Sequence, residues 1–371
     1  MKFSIITICY NEAKRIEGTL NSICCQTYSD YEHIIEDGGS TDSTLEVISR
    51  FASLYSERQI RLYSEKDEGL YDAMNRAITR AKGEYLCFIN SGDYLFDKNT
   101  LANVAKQIEE LPGMDWYYGS CIVVFPNGDE YLQIPTTIEN IEGNDLSEEL
   151  KKGQLRLNHQ SIFAHRRCFE NNYFDISYRL RAELKWYYEC LFQQIKIKRL
   201  DFPVCRYAWG GLSERAVSVA THARETRRIF EELNLLTEEN REKLPREDNY
   251  SECCKNIYNQ WLALRQTGLC VADYLKRKNI SRIAIYGYAE FGAHLINELR
   301  GSDIQIICLI DQADRYPFAE INVVKPDEFQ GNVDLVIVTA ILHYSEIEDF
   351  LSERVDCSIV SLEDMLEDMW N

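Results

Sequence analysis

With 371 residues, 45% of them hydrophobic, the chain is too long for one ordinary domain and carries enough apolar material for two cores. Its formal net charge of -19 argues against nucleic acid as a partner, because phosphate binding needs a concentrated basic face. The thirteen cysteines are scattered, with one left over and no C-x-x-C pair, which reads as reduced core residues in the cytoplasm rather than a disulfide framework.

The chain opens on an Ile-rich run, Phe3 to Cys9, that predicts a strand buried on both faces. It is far short of the roughly 20 residues that cross a bilayer, so nothing marks export or membrane insertion. A helix follows, with Ile16, Leu20 and Ile23 on one face and Asn11 or Glu12 at its start. A strand near Glu32 to Glu36 leads through "DGGSTDST" into a helix from about Thr44 to Tyr55, with Leu45, Ile48 and Ala52 inward. Ile60 to Tyr63 is a third strand. Leu70 to Ala81 is a helix with Tyr71, Met74 and Ile78 on its buried stripe, and Tyr85 to Ile89 is a fourth strand. Strands alternating with helices in this way imply a parallel sheet covered on both faces.

After Asp93 the pattern changes. A helix near Asn99 to Ile108 precedes a strand at Trp116 to Phe125, and "PNGD" folds that strand back on Glu130 to Gln133 as a hairpin. Short strands at Ser161 to Ala164 and Val204 to Tyr207 flank an aromatic-rich helix, Arg181 to Gln194. From Leu212 to about Asn279, Glu, Arg and Leu recur at helical spacing. This stretch reads as a connector with solvated charged faces, and no chemistry is assigned to it.

A new βαβ unit starts at Arg282 to Tyr286, continues through a helix to Leu299, and adds strands at Ile304 to Ile310, Val333 to Thr339 and Ser358 to Val360. The expected division is therefore a mixed α/β domain over 1-212, a helical connector over 213-279, and a small Rossmann-like α/β domain over 280-371. "GYAEFG", Gly287 to Gly292, sits where a dinucleotide fingerprint belongs, with Asp311 ending the next strand. Ala289 replaces the glycine that admits a pyrophosphate, and Glu290 adds negative charge there. A structural or regulatory role is favoured over a working NAD site, and its ligand stays open.

"FINSGDYLF", Phe88 to Phe96, runs a buried strand into a turn and leaves the carboxylate of Asp93 at its mouth. Ser, Gly and Asp close turns for backbone reasons alone, so the segment by itself reads as a turn or as a site. Four blocks in order decide between them: "SIITICYNEAKRIEGTLNSI", "YEHIIEDGGSTDSTLEVI", "EKDEGLYDAMNRAI" and "GEYLCFINSGDYLF". Together they resemble the family 2 glycosyltransferases of the GT-A fold, over roughly Lys2 to Gly211.

The resemblance implies a GT-A mixed sheet with helices on both faces. It implies inverting transfer of a sugar from a nucleotide-diphosphate donor, in the first instance a UDP-sugar, to a hydroxyl of a glycan or lipid-linked acceptor, in surface polysaccharide synthesis. It makes Asp93 the metal ligand, for Mn2+ or Mg2+, because the departing diphosphate gains negative charge that a cation must meet. Gly92 stands where the family often carries a ribose-binding acid, which hands that contact to Ser91 or to the backbone. Asp37 matches the acid that receives the uracil ring, with a turn or cap as the alternative. Tyr10 and Glu12 match positions flanking base and ribose, Asp67 lies in the third donor loop, and Asp42 reads more readily than Asp37 as purely a cap. A family arginine is replaced by Met74, whose spacing makes it core.

Glu183 aligns with the general base, ionised at neutral pH and able to take the acceptor proton; its alternative is a surface glutamate on an amphipathic helix, and nearby Asp175 reads as a turn residue. His159 and Gln160 in "LNHQSIF" precede a strand on the acceptor side, where His159 is equally a structural histidine. Trp209 in "YAWGGLS" stacks on a sugar or packs in the core. A lipid-linked acceptor would bring the protein to the inner face of the membrane as a peripheral visitor, and the connector leaves a homodimer open. The competing reading is a non-catalytic nucleotide or NAD-binding regulatory protein. A nucleotidyltransferase is disfavoured, since "CYNEAKRIEG" lacks the Gly-rich basic loop that class needs after its first strand.

Overall fold

A computed structural model describes the chain apart from residues 126–127, 129, 139–149, 153–154, 209–217, 242–243, 245–249, 313–320 and 371. Met1–Trp209 together with Ala220–Glu247 form one compact unit, and Asp248–Asn371 belong to a second.

The strands of the first unit are β1 Phe3–Cys9, β2 Tyr31–Asp37, β3 Gln59–Ser64, β4 Tyr85–Phe88, β5 Tyr94–Leu95, β6 Trp116–Val124, β7 Glu130–Gln133, β8 Ile162–His165 and β9 Ile197–Ala208. They form one sheet in the order β3-β2-β1-β4-β8-β6-β9-β5, with β7 on β6. The first four are parallel, and β8 runs antiparallel to both β4 and β6. Pro203 has no N–H to give the ladder, and it sits where the β6–β9 register shifts.

The helices are α1 Ile16–Cys24, α2 Thr44–Leu54, α3 Leu70–Arg80, α4 Thr100–Glu110, α5 Ala182–Phe192, α6 Ser218–Glu232 and α7 Glu238–Arg241. Alternation along the central strands splits the core by face. Phe3, Ile5, Tyr85 and Cys87 pack with α4, whereas Ile6, Ile8, Leu86 and Phe88 pack with α3 and α5. Sequence periodicity and structure agree on α1 and α3, whose predicted stripes are all buried. In α2 the buried face is Thr44, Ile48 and Phe51 instead of Leu45, Ile48 and Ala52. Thr44 is held at the buried end of this face, its hydroxyl accepting the N–H of Glu12 at 2.8 Å, and Phe51, three residues after Ile48, packs with Ile16, Leu20 and Ile35.

The residues after β9 are shared between the units. Ile229, Phe230, Leu235 and Leu244 are buried in the core of the first unit. Ile257, Trp261 and Leu264 of α8 (Tyr250–Gln266) and Leu275 of α9 (Val271–Arg277) belong to the core of the second. What reads as one connector is two amphipathic pieces, each with an apolar face already covered.

The second unit is a parallel sheet of β10 Arg282–Tyr286, β11 Gln305–Ile310, β12 Val323–Val324, β13 Leu335–Val338 and β14 Ser358–Ser361, in the order β12-β11-β10-β13-β14. Helix α10, Glu290–Leu299, follows the "GYAEFG" turn. A Cβ at Gly292 would lie 2.4 Å from the Gly287 carbonyl oxygen, so these glycines let the helix close on its own turn. Asp311 Oδ2 accepts the Tyr288 N–H at 2.8 Å, tying the end of β11 to that same turn.

Candidate active site

The register pairs Cys9 with Asp37 and Asp37 with Ser64, so β1, β2 and β3 end side by side and the loops beyond them share one edge. Open α/β sheets gather ligands at this edge. Asn11, at φ 54, ties the first loop to the second: its Oδ1 accepts the Thr41 N–H at 2.8 Å, and its own N–H donates to Ser40 Oγ at 2.8 Å.

Asp37 is 2% exposed. Its Oδ2 accepts from the N–H groups of Gly39 (3.1 Å) and Ser40 (2.9 Å) and from Ser64 Oγ (2.7 Å), while its Oδ1 accepts from Ser40 Oγ. Three of these donors crowd Oδ2 and one reaches Oδ1, all of them from Asp37's own loop and the neighbouring end of β3. Tyr10, by contrast, is 59% exposed. A Cβ added at Gly38 would meet Asp67 Oδ2 at 2.6 Å and Tyr10 Cδ2 at 3.4 Å, so Tyr10 and Asp67 converge over a glycine that keeps the floor between them low. Asp42 accepts the N–H groups of Thr44 (3.0 Å) and Ala13 (3.2 Å), tying the start of α2 to the first loop, while the N-cap position itself is Ser43, without a side-chain cap bond.

Glu12 grips Arg15 with both oxygens, at 2.8 Å from Nε and 2.6 Å from Nη2. The Arg15 side chain passes within 3.8 Å of where a Cβ on residue 92 would stand. It places a cation beside the Asp93 turn that sequence reasoning did not single out. Its only signal was an arginine one helical turn after Glu12.

In that turn Gly92 takes φ 96, a left-handed conformation that side chains resist, and its N–H donates to Thr19 Oγ1 at 2.9 Å. Ser91 Oγ is buried with no hydrogen-bond partner among the described residues. Asp93, 5% exposed, is fixed from two directions: Gln160 Nε2 donates to Oδ2 at 2.9 Å, and the Ala208 N–H at the end of β9 donates to Oδ1 at 3.0 Å. Among the described residues no group of three or more His, Cys, Asp or Glu side chains is placed to hold a metal ion by itself.

His159 has a different neighbourhood. Its Nε2 accepts from Asn90 Nδ2 at 3.2 Å, and it lines a small apolar cavity with Phe88, Phe174 and Trp186. Burial pushes its pKa down to about 4, so the imidazole is neutral at physiological pH. Trp209 lies outside the described residues.

Glu183 stands in the first turn of α5, where main-chain N–H groups favour negative charge. The hydroxyl of Tyr71, from α3, donates to its Oε2. Burial raises the pKa of Glu183 above the usual carboxylate value, against the opposing pull of the Tyr71 hydroxyl and the Arg181 charge. Four residues along α3, Asn75 clamps the Phe174 backbone, donating to its carbonyl at 2.8 Å and accepting its N–H at 3.0 Å. Asp175 bonds Lys185 Nζ (2.8 Å) and Ser177; despite partial desolvation these partners hold it at about 2, a carboxylate with its charge already matched. Burial raises Glu189, further along α5, as well, but that carboxylate faces Lys185, which opposes the shift, whereas Glu183 stands at the helix N-terminus under the Tyr71 hydroxyl, the placement suited to a base.

Residues 4–174 match the family model described as Glycosyl transferase family 2. The chain is 34% identical over 221 residues to the PGL/p-HBAD biosynthesis glycosyltransferase of Mycobacterium bovis, a match covering 58% of this chain and 80% of that protein. It is 34% identical over 127 residues to glycosyltransferase AglE of Haloferax volcanii, covering 34% of this chain and 41% of the relative. Among solved structures, S. aureus TarS 1-349 shares the fold with a TM-score of 0.50 and 22% identity, over 70% of this chain and 72% of that one.

Proposed function

The chain belongs to glycosyltransferase family 2 with a GT-A fold, and on that premise we propose that it is a metal-dependent, inverting enzyme acting on a nucleotide-sugar donor. The donor in the first instance is a UDP-sugar, and the acceptor a hydroxyl of a glycan or lipid-linked intermediate in surface polysaccharide synthesis. The observation that carries this reading is Asp93, held by Gln160 and the Ala208 N–H.

A single oxygen donor without a protein cage suits Mn2+ or Mg2+ when phosphate oxygens and waters complete the shell. Bound at Asp93, such a cation would neutralise charge on the departing diphosphate. Arg15 adds positive charge beside Gly92. Tyr10 and Asp67 bound the shelf over Gly38 for base and ribose, and Ser91 Oγ takes the contact that an acid at position 92 would make. Asp37 keeps the second loop in shape. Glu183 removes the acceptor proton as the hydroxyl oxygen attacks C1 and the bond from C1 to the diphosphate oxygen breaks; one base and a direct displacement invert the anomeric centre. No helix among the described residues is long and apolar enough to cross a membrane. A lipid-carried acceptor would be met at the membrane surface.

The test is calorimetry with UDP and with NAD, each with and without Mn2+, followed by a screen of UDP-, GDP- and dTDP-sugars for release of the nucleoside diphosphate. Mn2+-dependent UDP binding and turnover of one donor are expected. Binding of NAD alone would favour the regulatory reading.

A second expectation concerns pH. Because Glu183 must be ionised to accept a proton, kcat/KM should fall as pH drops through a value above the ordinary glutamate range. Tyr71→Phe removes the hydroxyl that favours the carboxylate, so the acid limb should move further up, by about one pH unit for a lost charge-assisted bond. An acid limb in Tyr71→Phe superimposable on that of the parent would exclude Tyr71 from setting this ionisation.

A further inference from the structure

Charges at helical spacing after β9 look like a solvated face, yet one stripe of α6 is bonded along its length to the segment that carries Glu183. His222 Nδ1 accepts from Arg181 Nη2 at 3.0 Å. Glu225 takes the Arg179 N–H on one oxygen (2.7 Å) and the Leu180 N–H on the other (3.0 Å). Arg228 Nη2 donates to Ser177 Oγ at 3.0 Å, and Glu232 Oε2 accepts the Tyr178 hydroxyl at 3.0 Å while lying 2.8 Å from Lys185 Nζ. Positions 222, 225, 228 and 232 recur every three or four residues, one face of a helix.

The contacts differ in weight. Arg228 and Glu232 stand at the surface, where ion pairs contribute little. Glu225 is 8% exposed, and its two oxygens receive consecutive main-chain N–H groups just ahead of α5. Helix α5 has no side-chain cap of its own at Arg181. Its entry is fixed instead by a carboxylate from α6, a helix beyond the 4–174 family match.

We propose that Glu225 and His222 are positioning residues for the reaction: Glu225 fixes the backbone at Arg179 and Leu180, four and three residues ahead of Glu183, and His222 fixes Arg181, so that Glu183 meets the acceptor hydroxyl in one geometry. The proposal rests on the reading of Glu183 as the base. A base displaced by about 1 Å loses on the order of 10²-fold in rate while the donor still binds elsewhere in the site.

The experiment uses the full chain with Mn2+ and the sugar nucleotide selected by the donor screen. Glu225→Ala should lower kcat about 10- to 100-fold with donor KM and UDP affinity within about two-fold. Glu225→Gln, which keeps one accepting oxygen, should recover part of the loss. His222→Ala should lower kcat less, and His222→Asn should restore it, because the amide oxygen stands in for Nδ1. Arg224→Ala, an exposed neighbour off the stripe, serves as the control with unchanged kinetics.

Loss of kcat together with UDP affinity would make α6 a mere structural prop and overturn the proposal. So would an unchanged kcat in Glu225→Ala when Glu183→Gln has collapsed turnover, an outcome that leaves the base assignment standing. Full turnover in Glu183→Gln removes the base reading and this proposal with it. If Glu225→Ala does not fold, the His222 pair decides by the same split between kcat and KM.

Discussion

Glu183→Gln is expected to lower turnover by about 10² to 10⁴-fold, the range a positioned general base contributes, while UDP binds in the presence of Mn2+ with nearly parental affinity. The amide keeps the size of the carboxylate and can still accept the Tyr71 hydroxyl, so the surroundings of α5 have no reason to rearrange. Stability should not fall either. A carboxyl whose pKa is raised by burial favours the protonated folded state, so its contribution to stability is fully present below the unfolded pKa and lost as pH rises through the folded value. At neutral pH the ionised group is a liability, and glutamine removes it. Thermal melting and UDP calorimetry beside a turnover assay check all three expectations. Turnover, affinity and melting temperature falling together would show that Glu183 supports the fold and does no chemistry.

Asp93→Asn should abolish the effect of Mn2+ on UDP binding and reduce turnover by at least about 10²-fold, as expected when a site loses the group that stabilises charge developing in the transition state. The amide oxygen can still accept the Ala208 N–H, so the turn keeps one of its two ties. Gln160→Ala separates charge from placement, since the carboxylate stays but loses the Nε2–H donor on its other oxygen. That variant should fall between the parent and Asp93→Asn. Mn2+-dependent UDP affinity surviving in Asp93→Asn would move the metal away from this carboxylate.

Much of the first unit was legible because its strands are apolar runs and its helices carry a single buried stripe. Legibility failed in α2, where the buried stripe runs through Thr44, Ile48 and Phe51 and a polar residue, bonded to the first loop, opens it. It failed again in β9, whose first half, with Lys198, Asp201 and Pro203, hides the strand that continues into Val204–Ala208. The family motifs pointed to Asp93 and Glu183, but the residues that bond them are distant in sequence, Gln160 and Ala208 for the first and Tyr71 for the second, and the backbone ahead of Glu183 is bonded by Glu225. Charged residues three or four apart look alike whether they face water or another segment, which is why α6 went unread. Asp37 shows the converse, since its aspartate chemistry was visible but the hydroxyl of Ser64, 27 residues on, was not.

Because Ile229, Phe230, Leu235 and Leu244 fill the core of the first unit, covalent order and folding unit part company after β9. Any gene fusion that exchanged the C-terminal module for another would have to join the chain beyond Glu247; a junction at the last strand would discard part of the transferase's own interior. The inherited piece is longer than its motifs suggest.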